Sequence, residues 1–413
     1  MKQIIGKWKF PALLLTGLGL SSLGDFVYLV AINLLVLKMT GSAAAVAALW
    51  VVGPITSILV NGWSGSIIDR SNKKKIMIVT DIIRAVAVAI IPILPSIWMI
   101  YAVLFVINVS KSFFTPTSTT YITVLIPKEQ RKTFNSIRSL VSSGAFITGP
   151  AIAGMLFVVG SLEIAIYSNA ILFAISAILI ACLPNLDSGQ TQTTEKLQFK
   201  KLKEDWKEVI RFGKKEVFVM TIYFSFIVFD IFTMAMDSQE VVFTQRVIGL
   251  TEVEYSLLIS VTGIGYAAGG LLVIFISRFL SIRTLIGTGL FMLATGYFIY
   301  SIASSFTIAA TGFIILGFFF AFSNTGFTTF YQNNVPVEMM GRVTSIISVL
   351  QSAVSVVFLL FIGIMGDLLP LRYTIVTLSV ISMVLAIIVI ILVAQKSRKV
   401  YFVENQSQKI MET

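Results

Sequence analysis

Gly65-Ser66-Ile67-Ile68-Asp69-Arg70-Ser71-Asn72-Lys73-Lys74 is a short polar break between two long apolar runs, 43–68 before it and 76–95 after it. Each run has the roughly 20 residues a helix needs to cross the ~30 Å hydrocarbon layer of a bilayer. Neither shows the period-two alternation of a barrel strand. Inside lipid no water is present to serve backbone N–H and C=O groups, so a spanning segment that is not a barrel strand must be a helix. The break therefore reads as a tight, basic turn between two membrane helices.

The same pattern repeats outward in both directions. Apolar segments lie at 10–37, 43–68, 76–95, 97–124, 135–160, 163–184, 217–240, 255–277, 284–303, 306–332, 343–366 and 372–394. Of the 413 residues 56% are hydrophobic and 12% charged, against roughly 25% charged in a soluble domain. One or two soluble cores could not hide that much apolar surface. The expected fold is an all-α membrane protein of twelve transmembrane helices. The basic stretch Met1 to Lys9 leads straight into the first long run and reads as the start of that helix rather than a cleaved signal.

The net charge of +11 does not point to nucleic acid, because the basic residues sit in short connections between apolar runs. They fall in the N-terminus, around Arg70 and Lys73 to Lys75, at Lys128 to Arg138, through the polar stretch Asn185 to Glu216, and then at Arg278, Arg283, Arg342 and the tail. The alternate connections, such as Pro95-Ser96, Gly160-Ser161 and Ser304-Ser305, carry almost none. The positive-inside rule then puts both termini and the middle stretch in the cytoplasm, which requires an even number of spans. A bacterial plasma membrane is the expected location. Within the middle stretch Phe199, Leu202, Trp206, Val209 and Ile210 share one face among lysines. That pattern suits either a helix lying on anionic lipid head groups or a solvated linker.

The two halves echo each other. Thr119-Thr120, Pro127, Glu129, Ser136-Ile137 and Ser139 align at a constant offset with Thr328-Thr329, Pro336, Glu338, Ser345-Ile346 and Ser348. Both copies occupy the turn between the fourth and fifth helix of a six-helix half. Parallel halves of this kind imply two pseudo-symmetric bundles around a central cavity open to one side at a time. The expected organisation is a bundle at 1–184, a cytoplasmic linker at 185–216, a second bundle at 217–394 and a cytoplasmic tail at 395–413.

The decade Gly65 to Lys74 matches G-x-x-x-D-R-x-x-R/K-R/K, and with twelve spans and paired halves the chain resembles the major facilitator superfamily. Gly65 permits close helix approach, and Asp69 suits a helix N-terminus. Arg70, Lys73 and Lys74 answer phosphates or simply obey the positive-inside rule. In that superfamily the loop latches the cytoplasmic side, so Asp69 is expected near Arg342-Val343-Thr344. Gly149-Pro150-Ala151-Ile152-Ala153-Gly154 resembles the G-P-x-x-G-G element of superfamily exporters, and the whole chain looks most like its macrolide-efflux branch. It departs in two places. Phe105 to Lys111 lacks the arginine many proton-coupled members carry, so either Lys111 substitutes or the coupling route differs, and Arg278 stands where the second half would match Asp69.

A charge at mid-membrane costs at least ~2.5–3.5 kcal/mol and so demands a role. Asp25, Lys111 and Asp230 lie midway along the first, fourth and seventh helices. A buried carboxyl in general exchanges its proton nearer to cellular pH than an exposed one. Asp25, Asp230 or both are the candidate proton carriers, with Lys111 as counter-charge to Asp25. A permanent Asp25–Lys111 pair that only orients helices is the plainer reading. Asp81 and Arg84 read as a local pair near the end of the third helix that supports the loop. Asp237 and Glu240 read as wet residues at the outer end of the seventh.

The expected function is proton-driven export of a small, bulky amphiphile by alternating access, with a macrolide as the family guess and the tenth helix's aromatics (Phe318 to Tyr331) as wall material. Protons and lipids are the other expected partners, and the chain is expected to act as a monomer. No histidine is present and no G-x-x-x-x-G-K-S/T loop occurs, so no metal, ATP or other cofactor is expected. The same fold would serve a siderophore or metabolite exporter. A membrane sensor without transport and an aspartyl protease built from Asp25 and Asp230 are the readings from other classes.

Overall fold

The computed structural model describes residues 2–186, 199–276 and 279–402, without the side chains at 2–7, 61–62, 65–66, 69–70, 128–129, 132, 199–205 and 337–338. Six helices come first: α1 (Lys2–Thr40), α2 (Ala43–Arg70), α3 (Lys73–Ile90), α4 (Ile97–Leu125), α5 (Lys128–Val159) and α6 (Leu162–Ala181). Then follow α7 (Phe199–Lys215), α8 (Val217–Ser238) and the single turn α9 (Glu240–Val242). The second half continues with α10 (Glu252–Ile276), α11 (Ile282–Ser301), α12 (Phe306–Asn334), α13 (Val337–Leu368) and α14 (Leu371–Ala394). Among the described residues twelve of these are long and apolar enough to cross a membrane. The protein is a multi-pass membrane protein, and each expected segment falls on one helix.

The internal repeat is visible in the helix lengths. α4 and α12 each have 29 residues, and α5 and α13 each have 32. The turns between them are alike too. Pro127 (φ −55°, ψ 146°) caps α5 and Pro336 (φ −56°, ψ 140°) caps α13. Proline's fixed φ and missing N–H suit the chain entering a helix, where the first N–H groups have no intrahelical partner. The repeated Pro thus sets the same corner in both halves.

Two compact units emerge, Met1–Glu195 with Thr251–Ser260, and Lys196–Leu250 with Val261–Thr413. In the first, α1 packs on α5 and α6, α3 on α4 and α6, and α2 on α4. Its buried core at one end joins Leu14, Leu18, Met77, Phe114, Tyr121 and Ile180. Polar bonds fasten that end: Tyr121 donates to the Pro184 carbonyl at 2.6 Å, and Lys74 to the Leu183 carbonyl at 2.5 Å. Asn72 caps α3 by accepting from the Lys75 N–H at 2.9 Å, a standard N-cap bond. Lys38 pairs with Glu252 in this unit.

In the second unit α11 lies against α12 and α14, and α8 against α13 and α14. A Cβ added at Gly296 would come within 2.8 Å of the Gly312 carbonyl oxygen. Glycine is what lets α11 and α12 approach backbone to backbone. After α9 the chain widens into a π-helical turn, Phe243–Ile248, ended by Gly249 at φ 81°. A capping box then restarts the helix. Thr251 accepts from the Glu254 N–H at 3.2 Å while Glu254 accepts from the Thr251 N–H at 2.8 Å.

α7 is a helix in the stretch where the sequence left open an interfacial helix or a solvated linker. Its Val209 is buried, Ile210 is exposed, and Glu208 pairs with Arg342 at the start of α13. Beyond α14 the 3-10 turn Lys396–Phe402 folds back on its own unit. Phe402 is buried, with ring centroids 5.1 Å from Phe330 and 6.0 Å from Phe218, and Arg283 covers its face at 4.9 Å. Asn334 donates to the Tyr401 carbonyl at 2.8 Å.

Candidate functional site

The first unit gathers its membrane charges into one network. Asp25 on α1 faces Lys111 on α4 at 3.3 Å and Arg84 on α3 at 3.9 Å. Arg84 also pairs with Asp81, one turn earlier on α3, and donates to Ser21 at 3.2 Å. Ser176 of α6 donates to the other oxygen of Asp81 at 2.7 Å. The Arg84 guanidinium is sandwiched between the rings of Phe114 and Phe173, 4.4 and 4.3 Å from their centroids. Cation–π attraction of this kind is strongest where water is excluded.

Exposure separates the roles. The side chains of Asp81 and Arg84 are 0% and 2% exposed, that of Asp25 28% and that of Lys111 54%. Asp81 and Arg84 form the fixed, dry inner pair, and Asp25 with Lys111 the outer, adjustable one. The local Asp81–Arg84 pair read from the sequence is present. Both residues sit halfway along α3, turned into the bundle and joined to Asp25. Sequence spacing gives their shared face but not which way that face turns.

α5 packs so close to α1 here that a Cβ at Gly149 would lie 2.6 Å from the Cβ of Phe26, the neighbour of Asp25. At Gly154 it would lie 2.2 Å from Ser256 Oγ. Pro150 stands inside α5, where it removes one backbone hydrogen bond. The glycines of the Gly149–Gly154 element therefore serve helix approach. A cavity of about 180 Å³ opens beside the network, lined by Asp25, Arg84, Lys111 and also Arg138 of α5. Arg138 belongs by sequence to a basic connection, and nothing in the local pattern marks it as a cavity residue.

The second unit has acids of another kind. Asp230 on α8 accepts from the Gln351 amide of α13 at 2.7 Å, and no lysine or arginine pairs with it among the described residues. Asp237 accepts from Tyr297 of α11 at 2.8 Å. Glu240 keeps one carboxylate oxygen enclosed and without a partner. Asp237 and Glu240, expected to be wet, are half-buried, with Tyr297 of α11 on the Asp237 carboxylate. A lone Gln in the apolar run 343–366 was the signal that could have exposed Asp230's partner.

The loop residues divide. The side chains of Gly65, Asp69 and Arg70 lie outside the described residues. Lys73 opens α3 and is engaged, and Lys74 is tied to Leu183. Arg342, the expected neighbour of Asp69, is met by Glu208 of α7.

A family model described as the Major Facilitator Superfamily matches residues 14–359. The chain belongs to that superfamily. An uncharacterized MFS-type transporter of Bacillus subtilis (strain 168) is 26% identical over 355 residues, 83% of each chain. Macrolide efflux protein A of Streptococcus pyogenes is 24% identical over 347 residues, 81% of this chain and 84% of that one. Among solved structures, a bacterial homolog of the human lysosomal transporter Spinster, inward-facing and unoccupied, matches with a TM-score of 0.72 at 15% identity, over 94% of this chain and 97% of the other. The structural likeness establishes the fold, and the superfamily makes the chain a transporter rather than an enzyme.

Proposed function

We propose that this superfamily member exports a bulky amphiphilic compound from a bacterial cell in exchange for protons, with both termini in the cytoplasm. The observation that carries the reading is Asp230, a mid-span carboxyl held among the described residues only by the neutral amide of Gln351. A carboxyl so placed can gain and lose a proton without stranding a cation. Asp25 is the second candidate carrier, with Lys111 as its counter-charge. The name of the Streptococcus pyogenes relative favours an exported drug, with a macrolide as the first compound to test. The Gly149–Gly154 element leans the same way.

The energetics suffice. One proton crossing ~150 mV releases ~3.5 kcal/mol, and a tenfold gradient of a neutral solute costs ~1.4 kcal/mol. One proton therefore sustains a gradient of roughly a few hundredfold. Alternating access would rock one six-helix bundle against the other, with the Gly65–Lys74 turn as the cytoplasmic latch. α7 would rest on anionic lipid, and one chain would suffice. Uphill flux of a fluorescent macrolide in proton-loaded vesicles tests the scheme. Asp25→Asn and Asp230→Asn are measured separately, and full proton-dependent flux in both would end it. A siderophore or other metabolite exporter is the alternative on the same fold, separated by growth inhibition of expressing cells across a drug panel.

A further inference from the structure

We infer that the cavity beside Asp25 is a binding subsite for an anionic group, and that the compound handled here is an amphiphile bearing a carboxylate. The inference starts from a count of charges. Two carboxylates, Asp25 and Asp81, meet three cations, Arg84, Lys111 and Arg138, in and around the cavity. Arg84 is taken by Asp81 and Lys111 by Asp25. Arg138 lines the same cavity half-buried, with no hydrogen-bond or ion-pair partner among the described residues. A cation without a counter-charge is costly away from bulk water. The missing partner is one negative charge.

The walls specify its shape. The arginine fork matches a carboxylate with two parallel N–H bonds, and Lys111, its side chain 54% exposed, is free enough to add a third. Ser22 and Ser142 line the cavity with hydroxyls that have no other protein partner among the described residues. The remaining lining mixes apolar residues, among them Leu15, Leu18 and Val141, with the hydroxyl side chains of Ser21, Thr115 and Ser118. A volume of about 180 Å³ admits a carboxylate and a few carbons, whereas pockets that enclose a whole drug-sized ligand run to ~300–1,000 Å³. The head group is held here and the body of the amphiphile lies outside. Asp25 is the built-in competitor, since its own carboxylate already occupies Lys111.

This rests on the reading that the chain handles an amphiphile and narrows it away from a macrolide, a lactone without a carboxylate; its test measures binding alone, so failed transport and failed recognition are distinguishable. The probes are 4-phenylbutyrate, 4-phenylbutylamine and 4-phenylbutanol, which differ only in the head group. They are titrated calorimetrically into the full chain in zwitterionic-lipid nanodiscs, with empty discs subtracted. The butyrate is expected to bind roughly tenfold or more tightly than the other two, and Arg138→Gln to remove that margin. Asp25→Asn is expected to tighten butyrate binding, the opposite sign, because it deletes the competitor. Should Arg138→Gln fail to fold, Arg138→Lys, expected to keep part of the margin, and Asp25→Asn carry the test. Equal or tighter binding of the amine or the alcohol, an unchanged Arg138→Gln, or weaker binding in Asp25→Asn would overturn the inference. So would displacement of the butyrate by equimolar chloride.

Discussion

The two units solve the problem of charge inside a membrane in opposite ways. In the first, the two mid-span acids among the described residues each have a cation: Asp81 has Arg84, and Asp25 has Lys111 with Arg84 behind it. In the second, the acids have neutral partners, Gln351 for Asp230 and Tyr297 for Asp237. A salt-bridged acid and its cation depend on each other, and removing either member strands the other. An acid hydrogen-bonded to an amide or a phenol tolerates both protonation states, because the neutral partner loses no counter-charge when the proton arrives. The first network suits holding and orienting a polar group, and the second suits exchanging protons.

Breaking the inner pair of the first unit gives the largest expected effect. Arg84→Met leaves Asp81 buried and unpaired, and removing one partner of such a pair costs ~3–5 kcal/mol. Chemical unfolding in detergent should show that loss, and the double change Asp81→Leu with Arg84→Met should recover most of it. If the single change is as stable as the parent, the first unit is not held by its ion pair. Next, Gln351→Leu deletes the bond to Asp230, a hydrogen bond to a charged group worth ~1.5–3 kcal/mol. Proton-driven flux should fall roughly ten- to a hundredfold while the folded fraction in detergent stays high. Gly149→Val forces atoms between α1 and α5 where a Cβ already meets Phe26 at 2.6 Å. Overpacking of this kind costs ~1–3 kcal/mol and should appear as a lowered melting temperature together with impaired flux. The smallest change is expected at the α7–α13 pair, whose side chains are close to half exposed. Glu208→Gln should cost under ~1 kcal/mol, which separates a buried charge from a surface one in the same melting assay.

How far the sequence reaches is set by what it encodes locally. The twelve spans and the Pro127 and Pro336 corners were legible, because lipid thickness and proline geometry act within one segment. Depth along a helix was legible too, as with Asp25 and Asp230. Rotation was not. A helix apolar around its whole circumference carries no stripe that says which side faces its neighbours. The link of the Asp81–Arg84 pair to Asp25, the partial burial of Asp237 and Glu240, and the place of Arg138 at the cavity were therefore not legible. The π turn at Phe243–Ile248 was invisible for a related reason, since no residue type marks a wider turn as proline marks a kink.

The docked turn Lys396–Phe402 bears on how this membrane protein can be handled at the bench. Its last aromatic fills a socket made by the opening residues of α8 and the closing residues of α12, with a guanidinium as lid. A shortened clone that stops after Ala394 would bare that socket to detergent and strip Arg283 and Asn334 of their contacts with the turn. Purification handles and fluorescent reporters belong after residue 413, where they leave Phe402 seated.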